Sequence, residues 1–113
     1  MKIISPFIHG FLDYFTVALF AIAPIVLSFA ELPKLICFAL AAVHLVTTLL
    51  TAFPLGVAAL IPFPIHGWME RVIGPVLVAL PFVLGFAGLA VWFFVAAGVT
   101  IVLVALVTDY HAA

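Results

Sequence analysis

Two short stretches of the sequence pair a histidine with a carboxylate at the spacing of one helical turn. His9 stands four residues before Asp13, and His66 stands four residues before Glu70. Residues four apart lie on the same face of a helix, so each pair can act as one unit. Two imidazoles and two carboxylates are a ligand set typical of zinc, iron or manganese, and the same groups can relay protons.

Three interpretations of these four residues are open from the sequence. The first is structural, because carboxylates in the first turn of a helix are favoured by its positive end, and a histidine beside a glycine suits the headgroup region. The second is a site for a metal ion, or for a haem held between His9 and His66. The third is a path for protons or ions that uses Asp13 and Glu70.

The composition identifies the solvent that surrounds these residues. Of the 113 residues, 70% are hydrophobic and only 6% are charged, and the mean hydropathy is +1.59. A soluble domain carries about 25% charged residues, so we expect an integral membrane protein with the lipid bilayer as its main partner. The net charge of -1 excludes nucleic acid as a partner, and the single cysteine, Cys37, excludes an internal disulfide.

Charged residues divide the chain into apolar segments that are long enough to cross a bilayer. The first predicted span covers about residues 7–29 and the second about residues 35–53, with its end near Pro54. The uncharged stretch 72–108 would be about 55 Å long as one helix, so it must fold back, and Gly85–Gly88 predicts the turn. We expect an all-α, four-helix transmembrane bundle with both termini on one side.

The sequence also repeats itself with an offset of 57 residues. Ile-His-Gly-Phe-Leu-Asp at residues 8–13 is matched by Ile-His-Gly-Trp-Met-Glu at residues 65–70, and the match continues without a gap. This indicates an internal duplication of a two-helix unit within a single domain, with one repeat at about residues 1–57 and the second at about residues 58–113. Two-span units are related by an axis along the membrane normal, which predicts a pseudo-twofold bundle.

Both copies place a proline late in their first helix, followed by aliphatic residues and a phenylalanine. The first copy reads Ala-Pro-Ile-Val-Leu-Ser-Phe at residues 23–29, and the second reads Leu-Pro-Phe-Val-Leu-Gly-Phe at residues 80–86. This pattern resembles that of the bacterial membrane proteins with SPW repeats. Both copies retain the proline of the SPW motif. The resemblance implies a duplicated two-span bundle in a bacterial cytoplasmic membrane, and it supplies no chemistry.

Most other polar residues map to the end of the predicted bundle that carries the two pairs. They are Thr51, Arg71, Thr108, Asp109 and His111. Asp109 in a last helical turn opposes the helix dipole, so we expect its carboxylate to contact Arg71 or the start of the first span. His44 lies near the middle of the second span and is predicted to be neutral and hydrogen-bonded to Thr100 or to a backbone carbonyl.

The proline-rich segment of residues 54–64 is apolar but cannot form a continuous helix. We therefore expect it to lie in the interface and to cover the polar end of the bundle. Lys2 and Arg71, weighed against Lys34, favour the cytoplasmic side for both termini.

The sequence supports no catalytic site, because no serine or cysteine is paired with a base and no glycine loop could cradle a phosphate. The leading expectation is a non-enzymatic structural or accessory bundle that packs with itself or within a larger membrane complex. The alternatives are a proton-coupled small transporter or channel, and a metal-binding or haem-binding membrane protein that uses His9, Asp13, His66 and Glu70.

Overall fold

The computed structural model describes residues 2–111 and confirms an all-α bundle of four helices. Helix α1 covers Pro6–Val26, α2 covers Glu31–Leu49, α3 covers Phe63–Val83 and α4 covers Leu89–Val107. The longest dimension of the fold is 40 Å, close to the full thickness of a bilayer with its headgroups.

Three of the helices, α1, α2 and α4, are long and apolar enough to cross a membrane. Helix α3 has the same length as α1, 21 residues, but it carries His66, Glu70 and Arg71 and is less apolar. Three helices therefore support the prediction of a membrane protein. Helix α3 differs from them because of its polar side chains.

Tight turns join the helices in pairs, α1 to α2 and α3 to α4. The backbone reaches positive φ at Ser28 (54°) in the first turn and at Gly85 (70°) in the second. The second turn lies where the glycines predicted it, between Val83 and Leu89. In both turns a helical proline accepts a hydrogen bond across the turn, from Phe29 to Pro24 and from Phe86 to Pro81, at 3.0 Å and 2.8 Å.

The helices of each pair pack closely against each other, and α3 meets α4 at two glycines. A Cβ atom on Gly98 would lie 2.5 Å from the carbonyl oxygen of Gly74, and one on Gly74 would lie 2.9 Å from that of Gly98. Small residues allow helix backbones to approach closely in lipid, where van der Waals packing holds helices together. The contact between these glycines therefore sets the spacing of α3 and α4.

We expect the Gly98→Ala variant to lower the free energy of unfolding by about 1–3 kcal/mol, because its methyl group forces two backbones apart. Thermal unfolding in mild detergent measures the effect. Val99→Ile adds a methylene group at an exposed position of the same helix and should leave the midpoint unchanged. A Gly98→Ala protein as stable as the wild type would show that this contact does not fix the helix spacing.

Apolar and polar side chains occupy opposite halves of the bundle. The half next to the tight turns is filled by a buried apolar cluster around Phe20, Cys37, Leu77 and Phe94. The half next to the chain termini contains the buried polar residues, which are His9, Asp13, Thr48, Thr51, His66, Glu70 and Thr108.

The connection between α2 and α3 covers the polar end, as the sequence predicted. Its ends form a short parallel pair, β1 at Thr51–Ala52 and β2 at Ile61–Pro62. Between them, the carbonyl oxygen of Leu55 accepts a hydrogen bond from the hydroxyl of Tyr14 at 2.8 Å. The side chain of Leu55 lies directly against Gly10, where a Cβ atom would come within 2.9 Å of it.

Candidate metal centre

Four side chains from α1 and α3 meet inside the polar half of the bundle. His9 and Asp13 come from α1, and His66 and Glu70 come from α3; the exposed fractions of these residues are 0%, 2%, 0% and 5%. One ligand atom from each residue can be chosen so that all four lie within 4.8 Å of one another. The two pairs predicted from the sequence therefore face each other and form one buried cluster, called the His/carboxylate cluster below.

Within the His/carboxylate cluster each imidazole Nε2 faces one carboxylate from each helix. His9 Nε2 lies 2.8 Å from Glu70 Oε1 and 3.3 Å from Asp13 Oδ1. His66 Nε2 lies 3.1 Å from Asp13 Oδ2 and 3.4 Å from Glu70 Oε1. The shorter distance always joins the two helices, so the four groups converge on a common point between α1 and α3.

Two threonines fix which nitrogen of each imidazole carries a hydrogen. His9 Nδ1 lies 2.8 Å from the hydroxyl oxygen of Thr108, and His66 Nδ1 lies 2.7 Å from that of Thr51. Each hydroxyl donates its only hydrogen to the backbone carbonyl four residues earlier, at 2.6 Å for Thr108 and 2.7 Å for Thr51. Both Nδ1 atoms must therefore donate to the threonine oxygens.

With Nδ1 acting as the donor, the Nε2 atom of a neutral imidazole presents a lone pair. In the His/carboxylate cluster that lone pair faces carboxylate oxygens, which are also acceptors. Two acceptors at such distances repel, so a metal ion or a proton, held by the imidazole or by the carboxylic acid, must lie between them. Asp13 Oδ2 and His66 Nε2 show this most clearly, because both are buried and neither has a hydrogen-bond partner.

A divalent ion can balance the charge of the cluster, as two protons on the imidazoles also can. Asp13 and Glu70 bring two negative charges into a region that water does not reach, which is costly unless the charges are compensated. A divalent cation bound by two carboxylates and two neutral imidazoles gives a centre without net charge. Histidine nitrogen and carboxylate oxygen are ligands of zinc, iron and manganese.

The explanation of the carboxylates by the helix dipole is contradicted by their positions in the helices. Asp13 lies about two turns after the first residue of α1, Pro6, and Glu70 lies about two turns after the first residue of α3, Phe63. The favourable effect of the helix dipole fades beyond the first turn. Its positive end therefore does not account for carboxylates buried at this depth.

The prediction for His44 was wrong. Its Nε2 atom lies 3.4 Å from Asp13 Oδ1, on the α2 side of the His/carboxylate cluster, and not beside Thr100. Asp13 is about 10 Å from the start of α1, and His44 is about 8 Å from the end of α2, so the two residues lie at similar depth. The sequence-based estimate of depth compared His44 with the other histidines instead of with the carboxylates.

The predicted ion pair between Arg71 and Asp109 does not form. The guanidinium of Arg71 donates to the carbonyl oxygen of Ala105 at 3.3 Å and lies over the rings of Trp68 and Tyr110, 4.9 Å and 5.5 Å from their centroids. Helix α4 ends at Val107, so Asp109 lies beyond its last turn and does not oppose the helix dipole there.

The alternative prediction, that the carboxylate of Asp109 contacts the start of the first span, was also wrong, although a backbone hydrogen bond joins the two segments. The amide of Asp109 donates to the carbonyl oxygen of Ile4 at 2.9 Å, which ties the C-terminal segment to the start of the first helix. Its carboxylate accepts a hydrogen bond from the amide of His111 at 3.1 Å. The side chain of His111 is exposed and lies outside the His/carboxylate cluster.

Aromatic rings close the cluster toward the chain termini. Phe63 and Tyr110 both pack edge-on or tilted against the ring of His9, with centroids 5.2 Å and 5.6 Å away. Tyr110 also covers Gly67, where a Cβ atom would meet the phenol ring at 2.5 Å. Burial raises the pKa of Tyr110 above its usual range, so the residue stays a neutral phenol.

A haem does not fit between the two histidines. The imidazole centroids of His9 and His66 are only 5.5 Å apart, and the carboxylates of Asp13 and Glu70 lie beside both Nε2 atoms. A porphyrin plane would need the space that these carboxylates occupy. The geometry therefore matches a single metal ion and not a haem.

Thr51 and Thr108 belong to the candidate site through contacts that were not predicted. Their place at the polar end was expected, but neither was assigned to a histidine. A signal was present, because the two threonines stand 57 residues apart, the same offset that separates His9 from His66. The hydrogen bonds run crosswise along the chain, from His9 to Thr108 and from His66 to Thr51, which spacing alone does not reveal.

No protein-family model matches the chain, and no curated protein or solved structure matches it either. The resemblance to the SPW-repeat family therefore remains a prediction from the sequence. What the protein does has to be inferred from the His/carboxylate cluster itself.

Proposed function

We propose that this protein is an integral membrane protein that binds one divalent transition metal ion inside its helical bundle. The ligands are His9 Nε2, His66 Nε2 and one carboxylate oxygen each from Asp13 and Glu70. One observation carries the proposal: both imidazoles donate through Nδ1 to threonine oxygens while their Nε2 atoms face buried carboxylates. A hydrogen bond from the non-ligating nitrogen is what orients metal-binding histidines in proteins.

The spacing of the ligand atoms is suited to zinc or a similar ion. With bonds of about 2.0–2.2 Å, a tetrahedral site places neighbouring ligand atoms about 3.4 Å apart. The nitrogen-to-oxygen distances in the cluster range from 2.8 Å to 3.4 Å, so an ion is accommodated by small shifts of side chains. Iron and manganese use the same ligand types and are the other members of the proposed class.

The arrangement of the fold is part of the proposal. Four membrane-spanning helices, formed by duplication of a two-helix unit, bring two His-carboxylate pairs together about a pseudo-twofold axis along the membrane normal. The helix lengths of 21, 19, 21 and 19 residues and the matching threonine partners of the two histidines support this duplication. A bacterial cytoplasmic membrane, with both termini on the cytoplasmic side, is the location that the charge distribution and the SPW resemblance favour.

The proposal does not extend to transport. Phe20, Cys37, Leu77 and Phe94 form a buried apolar core in the half of the bundle beyond the His/carboxylate cluster, which disfavours the passage of a proton or an ion there. The proposed role is that of a metal-binding bundle, with self-association or docking into a larger membrane complex left as an expectation from the sequence.

Proton release on metal binding tests the proposal. Without a metal, one proton lies between each Nε2 atom and the carboxylate that it faces, and both ligands must lose it to bind an ion, so binding should release about two protons per ion. Affinity should therefore fall as the pH is lowered, since protons then compete with the metal. Calorimetric titration of Zn²⁺ into the detergent-solubilised protein, in two buffers of different ionisation enthalpy, measures the number of protons released. Binding without proton release and without pH dependence would contradict the proposed ligands.

A further inference from the structure

A cleft between α2 and α3 leads from the outer surface of the bundle to the His/carboxylate cluster. Its volume is about 490 Å³, within the usual range for small-molecule sites. Apolar side chains such as Leu40 and Val43 from α2 and Trp68 and Val72 from α3 form its walls. His44, His66 and Glu70 form its inner end, and the last two are proposed metal ligands.

In a bundle whose four helices span the membrane, as proposed above, the outer opening of the cleft would face the acyl chains. Val43, Trp68 and Val72 stand at this opening and are 63%, 62% and 64% exposed. A molecule dissolved in the bilayer could therefore move sideways into the cleft, whereas a water-soluble molecule would first have to cross lipid. The walls of the cleft therefore favour an apolar ligand, and the inner end favours a polar group at one end of that ligand.

The inner end of the cleft contains a polar atom that the proposed metal site does not use. His44 Nε2 is buried and has no hydrogen-bond partner, and it lies 3.4 Å from Asp13 Oδ1. His44 is not among the four proposed metal ligands. Its imidazole can therefore exchange a hydrogen bond with the polar group of a ligand that reaches the end of the cleft.

The corresponding cleft between α1 and α4 lacks these features. Its volume is about 250 Å³, and Thr100 and Ile101 line it where Val43 and His44 line the first cleft. None of the four residues of the His/carboxylate cluster contributes to it. Of these two clefts between described helices, the α2–α3 cleft is the one that reaches the proposed metal ligands, and His44 is the residue that distinguishes it chemically.

We propose that the α2–α3 cleft binds a quinone or quinol, with a ring oxygen at His44 Nε2 next to the metal ion. This inference rests on the proposed metal site, because a divalent ion neutralises Asp13 and Glu70 and makes a neutral head group preferable to a charged one. An anionic head such as a fatty-acid carboxylate would bring an uncompensated charge to a buried centre that the ion has already made neutral. The rings of His44, His66 and Trp68 give a planar ring aromatic neighbours, and carbonyl or hydroxyl oxygens pair with imidazole.

The two tryptophans of the chain allow a matched binding experiment. Trp92→Phe leaves Trp68 at the cleft as the sole fluorophore, and Trp68→Phe leaves Trp92, which is 73% exposed on α4. Decylubiquinone is titrated into both zinc-loaded variants in detergent, since quinones quench indole fluorescence. We expect the fluorescence of Trp68 to be quenched saturably, with one quinone bound per chain. The fluorescence of Trp92 should fall only linearly, as the quinone partitions into the micelle.

Substitutions on the cleft walls separate the site from unspecific partitioning. His44→Leu should weaken binding by about tenfold, the scale of one lost hydrogen bond, while His44→Gln, which keeps a donor there, should retain most of it. Val43→Phe should abolish saturation by filling the cleft. Its matched control, Thr100→Phe in the other cleft, should leave quenching unchanged.

Metal content, measured in the same samples, makes the possible failures distinguishable. Linear quenching of Trp68 in a protein that retains its metal overturns the quinone site and leaves the metal site intact. Saturation that is insensitive to His44→Leu and Val43→Phe, or saturation by palmitate that quinone does not displace, also overturns it. A wild-type protein that binds no metal overturns the proposed function itself.

Discussion

We expect the Asp13→Asn variant to bind a divalent metal ion at least about 100-fold more weakly than the wild type. Asp13 is the central group of the His/carboxylate cluster, since its two oxygens lie 3.1–3.4 Å from Nε2 atoms of His9, His66 and His44. Asparagine keeps the shape of the side chain but removes its negative charge. Loss of groups outside the first ligand shell alone costs about 10–100-fold in affinity, so loss of a ligand should cost more.

Competition with a chromophoric zinc chelator measures this affinity in detergent. Asp109→Asn is the matched control, because its carboxylate lies near the same end of the bundle but outside the His/carboxylate cluster. Circular dichroism establishes that both variants remain helical. If Asp13→Asn and Asp109→Asn bound zinc as tightly as the wild type, Asp13 could not be a ligand.

The second large effect is expected at the threonines that hold the histidine rings. Thr51→Val and Thr108→Val each remove the acceptor of a buried Nδ1 hydrogen, at 2.7 Å from His66 and 2.8 Å from His9. The imidazole then loses both its orientation and part of its basicity. We expect the zinc affinity to fall by about 10–100-fold in each single variant.

The serine variants distinguish this role from simple packing. Thr51→Ser and Thr108→Ser lose a methyl group but keep the hydroxyl oxygen, so they should bind zinc within a few-fold of the wild type. Thr100→Val is a further control, because Thr100 donates to the carbonyl four residues earlier in the same way but contacts no histidine. Equal losses in the valine and serine variants would indicate packing rather than a hydrogen bond.

Much of the fold could be predicted because the bilayer imposes strong rules on a sequence. Uninterrupted apolar segments, the glycines at the second turn and the prolines of residues 54–64 were sufficient to predict four helices and the covering loop. Helix ends were less certain, since α2 covers Glu31–Leu49 and so begins and ends about four residues before the predicted span of 35–53.

The core of the candidate site was predicted from spacing alone. The sequence places a histidine and a carboxylate four residues apart and repeats this pair after 57 residues. Two packed helices bring the two pairs together in one cluster. The sequence did not distinguish the metal interpretation from the structural one, because that distinction depends on depth in the helix. The burial of Asp13 and Glu70 two turns inside α1 and α3 removes the helix-dipole explanation, and it is the observation that favours the metal interpretation.

The errors share a physical origin, which is that side chains were paired by charge and by approximate depth. Arg71 was assigned to Asp109, but aromatic faces and a free carbonyl were within reach and Asp109 had already left the helix. His44 was assigned to Thr100, but the helices bring it to Asp13 instead. Contacts between helices depend on which faces they turn to each other, and a single sequence specifies those faces poorly.

X-ray absorption at the zinc edge tests the central claim, the metal site, most directly. The protein is purified in mild detergent without chelators and is then supplied with one equivalent of Zn²⁺. We predict one bound ion per chain with two imidazoles and two oxygens at about 2.0–2.2 Å. The imidazole contribution should be halved in His66→Ala. A protein that retains no zinc would contradict the metal site, and so would a sulfur shell at about 2.3 Å, which would identify Cys37 as a ligand.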